Sequence, residues 1–153
     1  MTLKSAFIAS LAFIATACSN DVAYDRFIDT PLDGWVRNDT LSFDTSPMQS
    51  SGTYDMSIGV RINGEYPFKS VTLLINTTSF PSGRTERDTV LCPVVGDNGE
   101  PLGHGISYFT TTQAMRQLDI KRGDSLHITV CHYMRRNELP GIAGVGIQLR
   151  LKD

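Results

Sequence analysis

The stretch YDMSIGVRI, residues 54–62, decides the fold class of this chain. Its apolar residues occupy every second position, and polar residues or glycine lie between them. Because successive side chains of a β-strand point to opposite faces, this pattern predicts a strand with one buried face. Asn63-Gly64 follows directly and is typical of the tight turn between two antiparallel strands. The stretch therefore predicts an antiparallel sheet with a core side and a solvent side.

Similar short strands are expected along most of the remaining chain. They are predicted at residues 41–43, 71–75, 86–92, 105–110, 126–131 and 145–151. Only residues 112–118 favour a helical turn, and they are too few to form a structural layer. Short strands separated by turns that contain glycine or proline are typical of a sandwich. We therefore expect an all-β chain that folds as a single antiparallel β-sandwich of about seven strands.

The N-terminus has the pattern of a bacterial lipoprotein precursor. Residues 1–18 read MTLKSAFIASLAFIATAC, in which one lysine precedes an apolar run, small residues and a cysteine. The run of about ten residues would span about 15 Å as a helix, which is too short to cross a bilayer. Its end, Ala15-Thr16-Ala17-Cys18, resembles a lipobox, although Ala15 stands where leucine is usual. The cysteine of a lipobox becomes the first mature residue, and its thiol carries a diacylglycerol.

This interpretation divides the chain into three parts. Residues 1–17 are expected to be a cleaved lipoprotein signal peptide, residues 18–34 a lipidated N-terminus and tether, and residues 35–153 the sandwich domain. Two or three acyl chains make such an attachment stable, whereas a single chain gives only marginal binding. The alternative is an ordinary cleaved signal followed by a chance cysteine at position 18.

Charge and cysteine content narrow the remaining choices. The net charge is −2, and residues of both signs are interspersed, so no basic stripe points to nucleic acid. Once Cys18 is assigned to lipid, Cys92 and Cys131 remain, both in predicted strands. In an oxidising compartment they could form a disulfide, or they could be two free thiols that pack as small hydrophobic side chains.

The sequence contains no motif of a known catalytic or metal site. His127 and His132 lie five residues apart on one predicted strand, so they point to opposite faces and cannot bind one metal ion together. His104 lies in a Gly-rich turn, and neither a GxSxG elbow nor a phosphate-binding glycine loop is present. We therefore expect no catalytic residues, no metal and no cofactor.

Three tripeptides resemble the O-glycosylation acceptor pattern of exported proteins in Bacteroidota-type bacteria. Each has an aspartate, then a hydroxyl residue, then an aliphatic residue, and the hydroxyl residues are Thr40, Thr89 and Ser125. The alternative is structural, because the same order of residues is also how a turn leads into a strand.

Several short motifs, in order, resemble one family. They are DGW at 33–35, NGEYPF at 63–68, VTL at 71–73, DTVLC at 88–92, GEPLGHG at 99–105, MR at 134–135, LPGI at 139–142 and VGI at 145–147. In this order and at these spacings, the chain resembles the gliding motility lipoprotein GldH family of Bacteroidota. The resemblance covers nearly the whole chain after Cys18. It implies a lipoprotein tied to the gliding machinery, which is functionally linked to protein secretion, and it implies neither a cofactor nor catalytic residues.

The favoured function is therefore a membrane-anchored, non-enzymatic accessory subunit of the motility or secretion machinery of the cell envelope. The expected location is the outer membrane, on its periplasmic rather than its surface face. Surface export in such bacteria favours acidic residues directly after the lipidated cysteine, and Ser19-Asn20-Asp21 offers only one. The alternative is an envelope or surface module that binds a glycan or a peptide. A small hydrolase is a third hypothesis and would need clustered acids or a His–acid pair.

Four residues are candidates for contact with a protein partner, namely Trp35, Tyr66, Pro67 and Phe68. Proline removes a ladder hydrogen bond and forces the chain to turn, which would expose the neighbouring aromatic rings. The alternative is that Trp35 and Phe68 close the ends of the core.

Overall fold

A computed structural model describes residues 21–153, and these residues form an all-β sandwich without a helix. Ten strands follow one another along the chain. They are β1 (Val22–Asp29), β2 (Trp35–Val36), β3 (Leu41–Asp44), β4 (Gly52–Ile62), β5 (Ser70–Phe80), β6 (Arg84–Pro93), β7 (Phe109–Ile120), β8 (Ser125–His132), β9 (Glu138–Leu139) and β10 (Ile142–Leu151). The predicted fold class is confirmed.

Eight strands build two antiparallel four-stranded sheets. One sheet has the order β1-β10-β4-β7 and the other has the order β3-β8-β5-β6, while β2 and β9 pair with each other as a short separate ribbon. With the eight long strands numbered from 1 to 8, the two sheets read 1-8-3-6 and 2-7-4-5, which is the order of a jelly roll. The predicted number of about seven strands was too low because the sequence pattern did not reveal β1 or the ribbon.

The core lies between the two sheets and follows the alternation seen in the sequence. All five apolar side chains of the opening stretch are buried, and they face buried residues of β5 and β8. The final strand behaves in the same way, because Val145, Ile147 and Leu149 are fully buried. The period-2 pattern therefore identified the buried faces of the central strands correctly.

The predicted boundary between tether and sandwich is wrong. Residues 22–29, expected to belong to the tether, form β1 and pair with β10 from Val22↔Arg150 to Asp29↔Gly144. Ile28 and Tyr24 pack against the core from this strand. The sandwich of the described residues therefore begins at β1, and the predicted Cys18 lies outside the described residues.

The region from 105 to 120 also differs from the prediction. Residues 105–108 belong to a loop, and the strand begins only at Phe109. It then continues through residues 112–118, for which a helical turn was predicted, and pairs with β4 over its whole length. Two residues of β7, Met115 and Arg116, stand in a bulge that interrupts the register with β4 and hides the strand periodicity.

An aromatic side chain covers two glycines on the outer face of the first sheet. Gly59 on β4 and Gly146 on β10 are register partners, and the Phe27 ring from β1 lies over both. A Cβ atom built on Gly146 would lie 2.4 Å from the ring of Phe27. The Arg61 guanidinium lies over this ring, 4.5 Å from its centroid. Gly146 and Gly59 therefore allow the Phe27 ring to pack closely on the sheet.

The strands define two ends of the sandwich. The N-terminal end carries residue 21, the connections 45–51, 80–84 and 121–124, and residues 152–153. The opposite end, called the loop end here, carries the connections 30–40, 63–69, 94–108 and 133–141. Within the described residues, no helix is long and apolar enough to cross a bilayer.

Candidate functional site

The four predicted contact residues separate into two buried and two exposed ones. Trp35 is 0% exposed and Tyr66 is 6% exposed, so the prediction of a surface contact is wrong for both. Pro67 and Phe68 do lie at the surface, and Phe68 is 38% exposed. Phe68 rests against the buried Tyr66 ring in a T-shaped arrangement, with 5.8 Å between ring centroids. The exposed Phe68 ring is therefore supported by the buried ring of Tyr66.

Trp35 is held in the core by polar as well as apolar contacts. Its indole Nε1 donates to the Asp39 carbonyl oxygen at 2.8 Å, and the edge of His132 meets the indole with centroids 5.2 Å apart. His132 is itself fully buried, and its Nε2 lies 3.0 Å from the Trp35 carbonyl oxygen and 3.1 Å from that of Asn137. Two carbonyl acceptors place the proton on Nε2. This cluster fixes the β2–β9 ribbon at the loop end.

The environment of His132 disfavours its charged form. Burial lowers the pKa of the imidazole below its usual 6.5, and the nearby Arg37 charge acts in the same direction. Arg37 donates to the carbonyl oxygens of Met134 and Arg135, which ties the connection after β8 to the ribbon. His132 is therefore a hydrogen-bonded structural histidine. His127 is more exposed, and its Nδ1 lies 2.6 Å from Asp44 Oδ1.

The loop end carries most of the large exposed apolar side chains of the described residues. Ile106 is 94% exposed, and Leu102 and Tyr108 project from the same connection between β6 and β7. Tyr108 and Leu32 line a shallow cavity of 340 Å³ together with Arg61. Large solvent-exposed apolar groups concentrated at one place are typical of a protein contact surface. We call Leu32, Phe68, Leu102, Ile106 and Tyr108 the loop-end patch.

A second surface feature is a cavity where the edges of the two sheets meet. It has a volume of 640 Å³ and lies between the β5–β6 hairpin and the last residues of β7. Leu118, Ile120 and Leu126 line its apolar side, whereas Arg84 and Lys121 lie on its polar side. We call it the seam cavity.

Arg116 connects the two sheets beside the seam cavity. Its guanidinium on β7 forms an ion pair with Glu86 on β6 and lies 3.6 Å from Asp88 Oδ2. Arg84 pairs with the other oxygen of Glu86 at 2.7 Å. These partly buried charges lie close to one another across the open edge, although Asp88 Oδ2 has no hydrogen-bond partner among the described residues. The arrangement is that of a structural link, because neither carboxylate is left without a positive neighbour.

The two thiols lie too far apart for a disulfide. Both cysteines are free in the structure. Cys92 pairs with Val71 and Cys131 pairs with Leu74, so the central strand β5 separates them, and their side chains point to opposite faces of the sheet. Burial raises the pKa of the Cys92 thiol to about 11 and also raises that of Cys131. The structure therefore agrees with the alternative of two free thiols.

Two of the three predicted acceptor hydroxyls lie on the outer face of the second sheet, and the third lies directly before its edge strand β3. Thr89 lies on β6 and Ser125 on β8, and each precedes a residue that packs inwards. Thr40 directly precedes β3, whose Leu41 is buried. Thr40 and Thr89 are exposed, whereas Ser125 is half-buried. Because the aliphatic residue after each hydroxyl points into the core, the hydroxyl itself points outwards.

The described residues bring together no metal-binding group. Among residues 21–153, no three His, Cys, Asp or Glu side chains come close enough to hold a metal ion. His104 is exposed, and its backbone pairs with Thr110 in a short bridge. The three histidines therefore lie apart from one another at separate places in the fold.

The sequence analysis missed the loop-end patch. The residues 105–110 were interpreted as an aromatic strand, which would have buried every second side chain. The signal that could have found the patch is the glycine pair Gly103 and Gly105 around His104. Gly105 has φ of +149°, and a Cβ there would lie 1.6 Å from the Tyr108 carbonyl oxygen, so this position needs a loop conformation that only glycine permits.

These features define a jelly-roll sandwich domain that carries exposed apolar side chains at one end. The chain belongs to the GldH lipoprotein family, whose sequence profile matches residues 22–149. The matched region runs from the first residue of β1 to near the end of β10, so it covers the whole sandwich.

Two curated relatives align along their full length. A "Gliding motility lipoprotein GldH homolog" of Christiangramia forsetii is 26% identical and the alignment covers 99% of each chain. The "Gliding motility lipoprotein GldH" of Flavobacterium johnsoniae is 24% identical, with 100% of each chain covered. Among solved structures, a family 35 carbohydrate binding module from Clostridium thermocellum is 10% identical, with 81% of this chain and 89% of that chain covered and a TM-score of 0.38. No functional conclusion follows from a likeness at that level.

Proposed function

We propose that this chain is a lipid-anchored, non-enzymatic accessory subunit of the gliding motility or protein secretion machinery of the cell envelope. The observation that carries the proposal is the family match over the entire sandwich, together with relatives that are named gliding motility lipoproteins. The proposed attachment is a diacylglycerol on Cys18, in the outer membrane and on its periplasmic face. The proposed role is to hold a binding surface at a fixed place in the envelope.

The loop-end patch supports contact with a protein partner. Its side chains are large and apolar, and they project from connections rather than from a sheet face. Two of these side chains are supported by buried rings: Leu32 lies in the connection that the buried Trp35 and His132 brace, and Phe68 rests against the buried Tyr66. Such preordered side chains bind a partner at little cost in conformational entropy. Pro67 and Phe68 remain proposed contact residues on this surface.

The anchor is tested by replacing Cys18 with alanine in the native host. We expect the Cys18→Ala protein to lose its lipid and to leave the membrane fraction while it keeps its fold. Cys131→Ala is the matched control, because it removes a thiol from the sandwich and leaves the lipobox intact. If mass spectrometry shows that Cys18→Ala carries no lipid and the protein still stays in the membrane fraction, the proposed anchor is contradicted.

A second candidate function is an envelope module that binds a glycan or a peptide. The observation that favours it is the seam cavity, whose 640 Å³ and mixed lining are within the usual range for small ligands. Binding there should weaken in Leu118→Asp and be unchanged in Ile106→Ser. Saturable binding that follows this pattern, without recovery of a protein partner, would favour the second candidate over the first.

The acceptor hydroxyls remain a proposal of their own. We propose that Thr40, Thr89 and Ser125 carry O-linked glycans, because Thr40 and Thr89 are exposed and Ser125 lies on the outer face of its strand. Peptide mass spectrometry of the native protein tests each position, and unmodified peptides at all three would contradict the proposal.

A further inference from the structure

We propose that the N-terminal end of the sandwich rests on the lipid headgroups of the membrane that holds the anchor, so that the long axis of the sandwich points away from the bilayer. This inference deepens the proposed function and rests on lipidation of Cys18. It commits to the lipid surface as the occupant of this end, rather than to a protein partner.

The number of residues between the anchor and the fold carries the argument. Only Ser19 and Asn20 separate Cys18 from Asp21, whose carbonyl oxygen already accepts from the Leu151 amide at 2.7 Å. An extended chain advances about 3.5 Å per residue, so these three steps span about 10 Å at most. Because Asp21 lies at the N-terminal end, this end stays within about 10 Å of the anchor whatever path the chain takes.

The dimensions of the sandwich then determine where the loop end lies. β4 has 11 residues and runs the full length of the first sheet. At about 3.3 Å per residue it is roughly 36 Å long. With the N-terminal end against the headgroups, the loop-end patch therefore stands roughly 36 Å further out, which is several times the reach of the tether.

One exposed aromatic side chain lies at the end that faces the lipid. Phe80 is 46% exposed, beside the tip of the β5–β6 hairpin, and it is the only large exposed apolar side chain at the N-terminal end of the described residues. An aromatic ring at the headgroup level is favourable because its apolar surface leaves water there. The hairpin tip that follows, Pro81 to Gly83, is exposed and consists of proline, serine and glycine.

Charge contributes little to this contact. Lys121, Arg122 and Lys152 are exposed at the N-terminal end, but Asp119 and Asp153 are exposed beside them. Asp124 also lies there, and its Oδ2 accepts from the Lys121 amide at 3.0 Å. Because positive and negative groups are interspersed, we expect the contact to be insensitive to salt and to the fraction of anionic lipid.

Depth-dependent fluorescence quenching tests the orientation on the full lipidated chain. In a Cys131→Ser background, Ser82→Cys labels the hairpin tip at the N-terminal end, and Asn98→Cys labels an exposed turn at the loop end. The remaining Cys92 is buried, so it does not react with a bimane label in the folded protein. The labelled proteins are reconstituted into liposomes that contain lipids with a spin label on the headgroup.

We expect bimane at position 82 to lose fluorescence in spin-labelled liposomes, whereas bimane at position 98 keeps the fluorescence it has in unlabelled ones. Equal quenching at both positions, quenching at neither, or quenching only at position 98 would overturn the proposed orientation while the anchor stands. Failure of the proteins to float with the liposomes would overturn the anchor, and the orientation with it. The two failures are therefore distinguished by flotation.

A further pair of variants distinguishes direct contact between Phe80 and the lipid from simple proximity of the N-terminal end to the membrane. Phe80→Ser should reduce the quenching at position 82, because the ring no longer holds the hairpin at the headgroups. Phe68→Ser is the matched control, since it removes an aromatic ring of similar exposure from the loop end. Unchanged quenching in Phe80→Ser would overturn the direct contact of Phe80 with the lipid.

Discussion

Replacement of Trp35 by alanine tests whether this tryptophan stabilises the core or serves as a contact for a partner. Trp35 is 0% exposed, and an aromatic side chain of this kind buries about 150–250 Å². At about 25 cal/mol per Å², that area corresponds to ~4–6 kcal/mol, of which the alanine retains a part. Large-to-small changes of buried Trp cost about 3–5 kcal/mol in practice.

The polar contacts of the indole add to this loss. The hydrogen bond from Nε1 to the Asp39 carbonyl oxygen contributes about 1 kcal/mol net, and the edge contact with His132 about 0.5–1.5 kcal/mol. Part of the aromatic contact is already contained in the area term. We therefore expect Trp35→Ala to lower the free energy of unfolding by about 4 kcal/mol, a large share of the 5–15 kcal/mol typical of a domain.

The assay is urea denaturation of the unlipidated chain, residues 19–153, at neutral pH. Far-ultraviolet circular dichroism is the appropriate signal, because Trp35 is the only tryptophan and the variant has no tryptophan fluorescence. Phe68→Ala is the control, and its half-exposed ring should cost about 1 kcal/mol or less. A loss below about 1 kcal/mol for Trp35→Ala as well would refute the assignment of this residue to the core.

Three further predictions concern other parts of the sandwich. Burial lowers the pKa of His132 in the folded state, so below about pH 6.5 the unfolded state binds more protons than the folded state, and the unfolding free energy should decrease as the pH falls. His132→Asn should flatten this pH dependence in urea titrations at pH 5 to 8, and the same pH dependence in both proteins would contradict the prediction. Gly146→Ala should destabilise by about 1–3 kcal/mol because its Cβ meets the Phe27 ring, and Phe27→Ala in the same chain should remove most of the additional cost, as a double-mutant cycle measures. Iodoacetamide should modify Cys131 slowly and Cys92 only after unfolding, and a reductant should leave the melting temperature unchanged; a mass two hydrogens lower in the native chain would show a disulfide instead.

The central strands could be predicted from sequence because the local order of apolar and polar residues shows which face of each strand is buried and which is outward. In β4, β8 and β10 the inward residues are apolar, except for the buried His132 at the end of β8, and the outward residues are polar or small. No bulge interrupts the pattern over most of their length. The alternation of apolar and polar residues alone therefore identified the buried faces.

The edge strands could not be predicted in the same way. β1 and β7 pair on one side only, and each has a bulge that shifts the register. Gln113 of β7 faces the other sheet but is only half-buried, so a polar residue occupies an inward position. Alternation is lost where an edge strand is only partly covered, which explains why β1 was predicted as a tether and β7 as a helical turn.

The candidate site depends on tertiary contacts that no local pattern contains. Trp35 is buried because the β2–β9 ribbon and His132, about a hundred residues later in the chain, close over it. Ile106 is exposed because Gly103 and Gly105 bring its loop back onto Thr110. An aromatic or aliphatic residue next to a turn can be either buried or exposed, and only the tertiary structure decides which.

The central claim is that the loop end binds a protein of the motility or secretion machinery. The most direct measurement is photo-crosslinking in living cells, with a benzophenone amino acid at Ile106 and, as the matched control, at Ser82 on the N-terminal end. The account predicts discrete crosslinked species at position 106 that mass spectrometry identifies as motility or secretion proteins, and no such species at position 82. The absence of any crosslinked protein at position 106, at equal expression, or the same products at both positions, would contradict it.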